Sequence, residues 1–322
     1  MKEEVIQFHL PFVSSIILGN LSRLGLLKIN DSYTNSYTTN STILYANFLA
    51  CIIMGFLQVF NFSSHDSNLQ VCLTTGYCGT FSSFSTYIYE IFIHTVLKAH
   101  LFSNYGATVS EFFIVNIVEL CVSMGGLKLG LEIGNIVKSS LENKNKEERI
   151  GMNLYQEVIE KAGNFLKHVL SILSVPLVVT MLVLSIVYRH KYHSYWTLSS
   201  LFSIFGAYTR YYLSKLNGKL KNKWNFFPIG TYIANFVAST LLSILLLLFQ
   251  RYNNNFTKKL VLYSLIEGFT ASMSTMSTLM NEMNKLSLFK SSAYIFISVI
   301  SSYAMFIIIL GSYKWTHNLN AL

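Results

Sequence analysis

Charge is scarce in this sequence. Asp, Glu, Lys and Arg make up 12% of its 322 residues, against 52% hydrophobic, where a soluble domain carries about a quarter charged residues. A soluble globular fold is therefore not expected. Proline is scarcer still, with three in the chain, too few for Pro-rich linkers. The four cysteines, Cys51, Cys72, Cys78 and Cys121, show no C-x-x-C spacing, so neither a zinc site nor a redox pair is indicated. No H-E-x-x-H occurs, and no nucleophile paired with a base stands out, so no catalytic residue is expected. The net charge of +9 is spread over short loops, which argues against nucleic acid as a partner. Glu3 and Glu4 interrupt the positive start that a secretory leader would need.

What the chain has instead is apolar length. A helix needs about 20 apolar residues to cross the hydrocarbon of a bilayer. Stretches of that kind lie near 10–28, 41–60, 70–97, 107–136, 168–189, 195–216, 227–249, 259–286 and 291–313. The reading is an all-α membrane protein of about nine spans, with the lipid bilayer as its surroundings. One segment, 138–167, is charged throughout and marks a boundary. It divides the chain into an N-terminal four-helix domain (1–137), a charged cytoplasmic linker (138–167), a linking transmembrane helix (168–189) and a C-terminal four-helix domain (190–322). The lysines and arginines weigh towards the loops that are cytoplasmic if the N-terminus is inside.

The two four-helix units repeat each other. Gly19-x-x-x-Arg23 in the first span matches Gly206-x-x-x-Arg210 in the sixth, and Asn47 in the second matches Asn235 in the seventh. The block Gly76–Thr86 matches Gly268–Thr278, and Glu90 matches Glu282. The offsets are 187, 188, 192 and 192 residues. Four spans return a chain to its starting side and a fifth inverts it. The expected architecture is two inverted four-helix repeats joined by a linking helix, with the functional site between them near the midplane. The third span of each repeat should break, because glycine, serine and threonine gathered inside an apolar run favour other backbone states over helix. Such a break survives at membrane depth only where protein buries it or where it lines a watery path.

The third-span run, Gly76-Tyr-Cys-Gly-Thr-Phe-Ser-Ser-Phe-Ser-Thr86 with Glu90 four residues on, resembles the signature of the small fluoride channels of the Fluc or CrcB family. The fused arrangement resembles the two-domain fluoride exporters of fungi. The resemblance implies a passive, selective fluoride channel in the plasma membrane, driven by the membrane potential and working as a fused pseudo-dimer, hence as a monomer. It places Phe84 and Tyr87 in the pores, with Met276 and Leu279 as their second-half counterparts. Asn47, Asn235, Thr231, Ser302, Arg23 and Arg210 fall at pore positions. It also implies a structural Na+ ion held by the backbone carbonyls of Gly79, Ser82, Ala271 and Ser274. Both aromatics are lost from the second half, so the two pores should be unequal, with the working one combining Phe84, Asn235 and Ser302. An ion-coupled secondary transporter shares inverted repeats and broken helices and is the competing reading.

Overall fold

The computed structural model describes residues 5–31, 42–60, 62, 66–99, 104–147, 154–191, 194–221, 224–252 and 254–317. Among these every regular element is helical. A π-helical turn, Val5–His9, leads directly into α1 (Leu10–Asp31), with Pro11 just after the junction. The apolar helix α2 (Leu44–Phe60) follows. The third apolar run is divided. Its first part, α3, comprises Ser67–Val71, a π-helical stretch Cys72–Cys78 and the last turn Gly79–Phe81. Its second part, α4 (Phe84–Phe92), continues as the π-helical Ile93–Leu97. Two long helices, α5 (Tyr105–Glu147) and α6 (Leu154–Val187), come next and enter the charged segment 138–167 from both sides.

The second unit repeats the plan. It has α7 (Tyr195–Ser214) and α8 (Ile229–Arg251), then a second divided run. In that run α9 comprises Phe256–Leu265, the π-helical Ile266–Thr270 and the turn Ala271–Met273, and α10 is Met276–Asn284. The last helix, α11 (Leu288–Phe306), extends through Ile307–Gly311 and Ser312–His317. Five helices among the described residues are long and apolar enough to cross a membrane uninterrupted, and α2 is a shorter apolar one. The third and eighth apolar runs are absent from that set because each is cut in two, and α7, though uninterrupted over 20 residues, is absent because its serines, tyrosines and Arg210 make it too polar.

Polarity runs outward in the reverse of a soluble protein. Thr80, Ser82, Ser83, Ser85, Thr270, Ser272, Ser274, Thr275 and Ser277 are fully buried at the centre. The outer face of α6 exposes Ile172, Val179 and Ile186. Hydroxyls can satisfy backbone groups internally, while apolar side chains face lipid at no cost.

The helices cross-pack between the units. Helix α4 lies against α8 and α11, and α10 lies against α2 and α5. One pair is far tighter than the rest. Gly126, Gly130 and Gly134 form a row along α5 that faces α2, and a Cβ on Gly130 would sit 2.0 Å from the Ile52 carbonyl oxygen. Only hydrogen fits there, so the two backbones meet directly, as small residues allow between membrane helices. On α11, a Cβ at Gly311 would meet nothing nearer than 3.4 Å, the Trp315 ring.

Candidate functional site

The site is built from the two breaks. Ser82 and Ser83 leave the helical region at φ −93°, ψ 155° and φ −143°, ψ 119°. Ser274 and Thr275 do the same at φ −84°, ψ 161° and φ −156°, ψ 130°. Each break restarts its helix with its own cap: the Ser83 hydroxyl accepts from Thr86 N–H, and the Thr275 hydroxyl from Thr278 N–H, both at 3.3 Å.

Extended backbone inside a membrane protein leaves peptide groups that need partners. The two asparagines supply them. Ser83 N–H donates to Asn47 Oδ1 (2.9 Å) and Asn47 Nδ2 donates to the Ser83 carbonyl (3.4 Å). Thr275 N–H donates to Asn235 Oδ1 (2.8 Å) and Asn235 Nδ2 to the Thr275 carbonyl (3.2 Å). The breaks then bind each other. Ser82 Oγ accepts from the N–H groups of Met276 (3.2 Å) and Ser277 (3.0 Å) across the interface. Ser274 Oγ accepts reciprocally from Ser85 N–H (3.1 Å) and shares a hydroxyl–hydroxyl hydrogen bond with Ser85 Oγ (2.9 Å). The first turn of each restarted helix is thus held by the opposite unit.

The arginines staple this centre, and neither is exposed to a passage. Arg210 Nη1 donates to the carbonyls of Gly79 (2.6 Å) and Ser274 (3.0 Å), and Nη2 to that of Thr75 (2.5 Å). Arg23 donates to the Thr80 carbonyl (3.0 Å), to Asn20 Oδ1 (2.6 Å) and to the Glu267 carbonyl. The pattern is nearly two-fold, and its asymmetry has a cause. A Cβ on Gly79 would fall 2.5 Å from the Arg210 guanidinium. The second unit carries Ala271 in the matching place, and Arg23 bonds elsewhere.

This bears on the expected Na+ site. Two of its four carbonyls, those of Gly79 and Ser274, already accept from Arg210. With the guanidinium there, a second positive charge would be forced against the first in a low-dielectric interior. The set of Gly79, Ser82, Ala271 and Ser274 does not fit a bare sodium ion in this arrangement.

The matching acids are also occupied. Glu90 accepts from Thr42 Oγ1 (3.1 Å) and Ile43 N–H (2.5 Å) at the start of α2. Glu282 accepts from Asn217 Nδ2 (2.9 Å), Thr231 Oγ1 (2.7 Å) and Tyr294 O–H (2.8 Å) at the start of α8. Thr231, expected along the ion path, therefore spends its hydroxyl on Glu282.

Between the breaks and the outer helices lie two flanks. On one, α4 carries Phe84, α8 carries Asn235, and α11 carries a stripe four residues apart: Tyr294, Ser298 and Ser302. Phe84 is fully buried and meets the Tyr87 ring edge to face at 5.6 Å between centroids. Ser302 is 1% exposed and its hydroxyl has no hydrogen-bond partner. A cavity of about 400 Å³ opens between α1, α4, α8 and α9, with Thr86, Leu242, Lys28 and Lys98 in its wall.

On the other flank, α10 brings Met276, α2 brings Asn47 and α5 brings Asn116, Glu119 and Ser123. Tyr87 turns to this side and donates its hydroxyl to Asn116 Oδ1. Glu119 is 2% exposed, and neither its carboxylate oxygens nor the Ser123 hydroxyl has a hydrogen-bond partner. Met276 and Leu279 are both fully buried. Of the residues named from sequence, the structure gathers all at the two breaks and their flanks. It gives the asparagines, the arginines and Thr231 protein partners. Sequence reasoning missed Asn116 and Ser123 as members of the flank. Their signal was available as polar residues on the same face of the fourth span as Glu119.

A family model described as CrcB-like protein, Camphor Resistance (CrcB), matches residues 12–130 and 197–311. The chain is 30% identical to Fluoride export protein 1 of Saccharomyces cerevisiae over 98% of its own length and 95% of that protein. It is 31% identical to Fluoride export protein 1 of Candida albicans, over 97% and 81% of the two chains. A 75-residue stretch, 23% of the chain, is 37% identical to the Fluoride-specific ion channel FluC of Dehalococcoides mccartyi, covering 57% of that protein. No solved structure matches the chain.

Proposed function

The chain belongs to the CrcB family in its two-segment form, and from that premise we propose that it is a passive fluoride channel of the plasma membrane, exporting fluoride down its electrochemical gradient. The observation that carries this reading is the pair of broken helices, each clamped by an asparagine and cross-bonded to the other. Two units locked at their centres leave pathways on their flanks, at the same depth as the restarted helices.

Fluoride is small and strongly hydrated, so moving it through a protein means replacing water with donors. On the α4–α8–α11 flank the replacements are the unpartnered Ser302 hydroxyl, the Asn235 amide and the positive edge of the Phe84 ring. The fixed guanidinium charges of Arg23 and Arg210 add a long-range attraction through a low-dielectric medium. Selectivity follows from donor density and the narrowness of the path. The cavity walled by Thr86, Lys28 and Lys98 serves as the mouth of this path; Asp31, Glu90 and Glu267 share its wall, so selectivity is left to the narrower segment beyond it. Hydrogen fluoride crosses bilayers uncharged and ionises in neutral cytoplasm. An inside-negative potential then expels the anion through a passive channel without coupling.

The nine-span topology belongs to this proposal: α1, α2, α3–α4 and α5 form one unit, α6 links, and α7, α8, α9–α10 and α11 form the inverted second. The fused pair makes a working monomer, and the two flanks are unequal, with conduction on the one that holds Phe84, Asn235 and Ser302.

Purified protein in liposomes loaded with potassium fluoride, with valinomycin to release the electrical brake, tests the reading. Rapid fluoride efflux with little chloride efflux supports the channel. Slow, saturable efflux that depends on a second ion gradient would favour the coupled transporter instead.

A further inference from the structure

The α2–α5–α10 flank holds a feature that fluoride conduction does not explain. Glu119 lies 2% exposed on α5, and both of its carboxylate oxygens lack hydrogen-bond partners. Ser123, one turn further along the same face, is fully buried with its hydroxyl equally unpartnered. The Asn47 amide is its nearest polar neighbour, beyond close hydrogen-bonding distance, and Cys51, Tyr87 and Glu90 lie around it. An ionisable side chain at this depth is costly and is retained where it does something. Glu119 caps no helix and bridges no break, unlike Glu90 and Glu282, whose oxygens are occupied.

The second unit shows what stands in the same relation to its neighbours. Helix α11 lies against α4 and α8 as α5 lies against α10 and α2. Its stripe there is Ser298 and Ser302, again four residues apart, both small and both hydroxyl-bearing. Where one flank has a serine pair, the other has a glutamate and a serine. The carboxylate fills volume that serine leaves open, and when ionised it repels any anion. The glycine row runs further along the same helix, and at Gly130 the α5 backbone meets that of α2 at Ile52 directly.

We propose that Glu119 is the residue that bars fluoride from the α2–α5–α10 flank, a plug rather than a ligand. The proposal rests on the channel reading above and on its assignment of conduction to the Phe84 flank.

The test compares fluoride efflux from liposomes for the wild type, Phe84→Ile, and Phe84→Ile combined with Glu119→Ser. Phe84→Ile removes the ring edge at similar volume and is expected to lower efflux at least 100-fold. Adding Glu119→Ser is expected to restore at least 10-fold of that loss, still with little chloride efflux. Glu119→Gln in the same background separates size from charge: restoration identifies the charge as the barrier, and continued closure identifies the volume. Because Glu119 is buried with neither oxygen in close hydrogen-bonding contact, Glu119→Ser should still give a folded, monodisperse protein. Glu119→Ala repeats the comparison if the serine variant is not monodisperse. Efflux from the folded double variant that equals Phe84→Ile alone would overturn the plug while leaving the channel reading intact. Wild-type efflux in Phe84→Ile alone would instead overturn the assignment of the pathway, and the plug with it.

Discussion

The fourth helices of the two units, α5 and α11, occupy matching places and do different work. Helix α5 runs 43 residues and meets α2 backbone to backbone along a glycine row. Helix α11 is 19 residues before its π-helical extension and meets α8 through side chains, with Ser298 and Ser302 facing inward. A duplicated unit is free to divide its labour. Here α5 turns Glu119 and Ser123 to its flank, where α11 turns Ser298 and Ser302. The centre between them stayed nearly symmetric, because each break needs the same asparagine clamp and the same reciprocal serine contacts.

The largest effect expected on this comparison comes from the centre, where the arginines are not equivalent. Arg210→Met strips hydrogen bonds from the carbonyls of Gly79, Ser274 and Thr75. Leaving buried acceptors unpaired costs about 1–3 kcal/mol each, so the variant should fail to give monodisperse protein or melt far below the wild type. Arg23→Met should lose less, since it holds two backbone carbonyls where Arg210 holds three, its third partner being the Asn20 side chain. Equal losses in the two variants would remove the asymmetry assigned to Gly79 and Ala271. With Arg210 on two of the expected sodium carbonyls, the wild-type melting temperature should be the same in sodium and in N-methylglucamine buffers. A sodium-dependent rise would show that the ion takes those carbonyls from the guanidinium.

The glycine row offers a second contrast. Gly130→Ala pushes a methyl into the Ile52 carbonyl and should cost about 1–3 kcal/mol by overpacking, read as a lowered melting temperature. Gly311→Ala in the second unit has room and should be silent, within about 0.5 kcal/mol. A smaller effect separates the two orphan hydroxyls. Ser302→Ala should slow fluoride efflux about 10-fold, the loss of one donor worth about 1.4 kcal/mol, and Ser123→Ala should leave it unchanged. Comparable slowing by both would place the ion on both flanks.

Much of this was legible in the chain. The repeat follows from landmarks at nearly constant offsets, and the breaks follow from glycine, serine and threonine crowding an apolar run: both fall inside the blocks Gly76–Thr86 and Gly268–Thr278. The asparagines were legible as positions but not as clamps, because the peptide groups they hold exist only once the helix has broken. The arginines were likewise legible as positions but not as staples. A guanidinium in a membrane span suggests a pore, yet here it meets carbonyls that the breaks and π-helical turns release. Glu119 is an acid inside an apolar run, with no acid in the matching place of the second unit. Its isolation became visible only when the row Gly126, Gly130 and Gly134 set α2 against it, a pairing between distant segments that no local pattern encodes.

The division between the flanks is tested most directly by measuring fluoride efflux from liposomes for Phe84→Ile and Met276→Ile side by side, at matched protein density. The account expects Phe84→Ile to lose nearly all efflux and Met276→Ile to keep the wild-type rate. Equal losses, or loss only in Met276→Ile, would contradict it and place conduction on both flanks or on the one that holds Glu119.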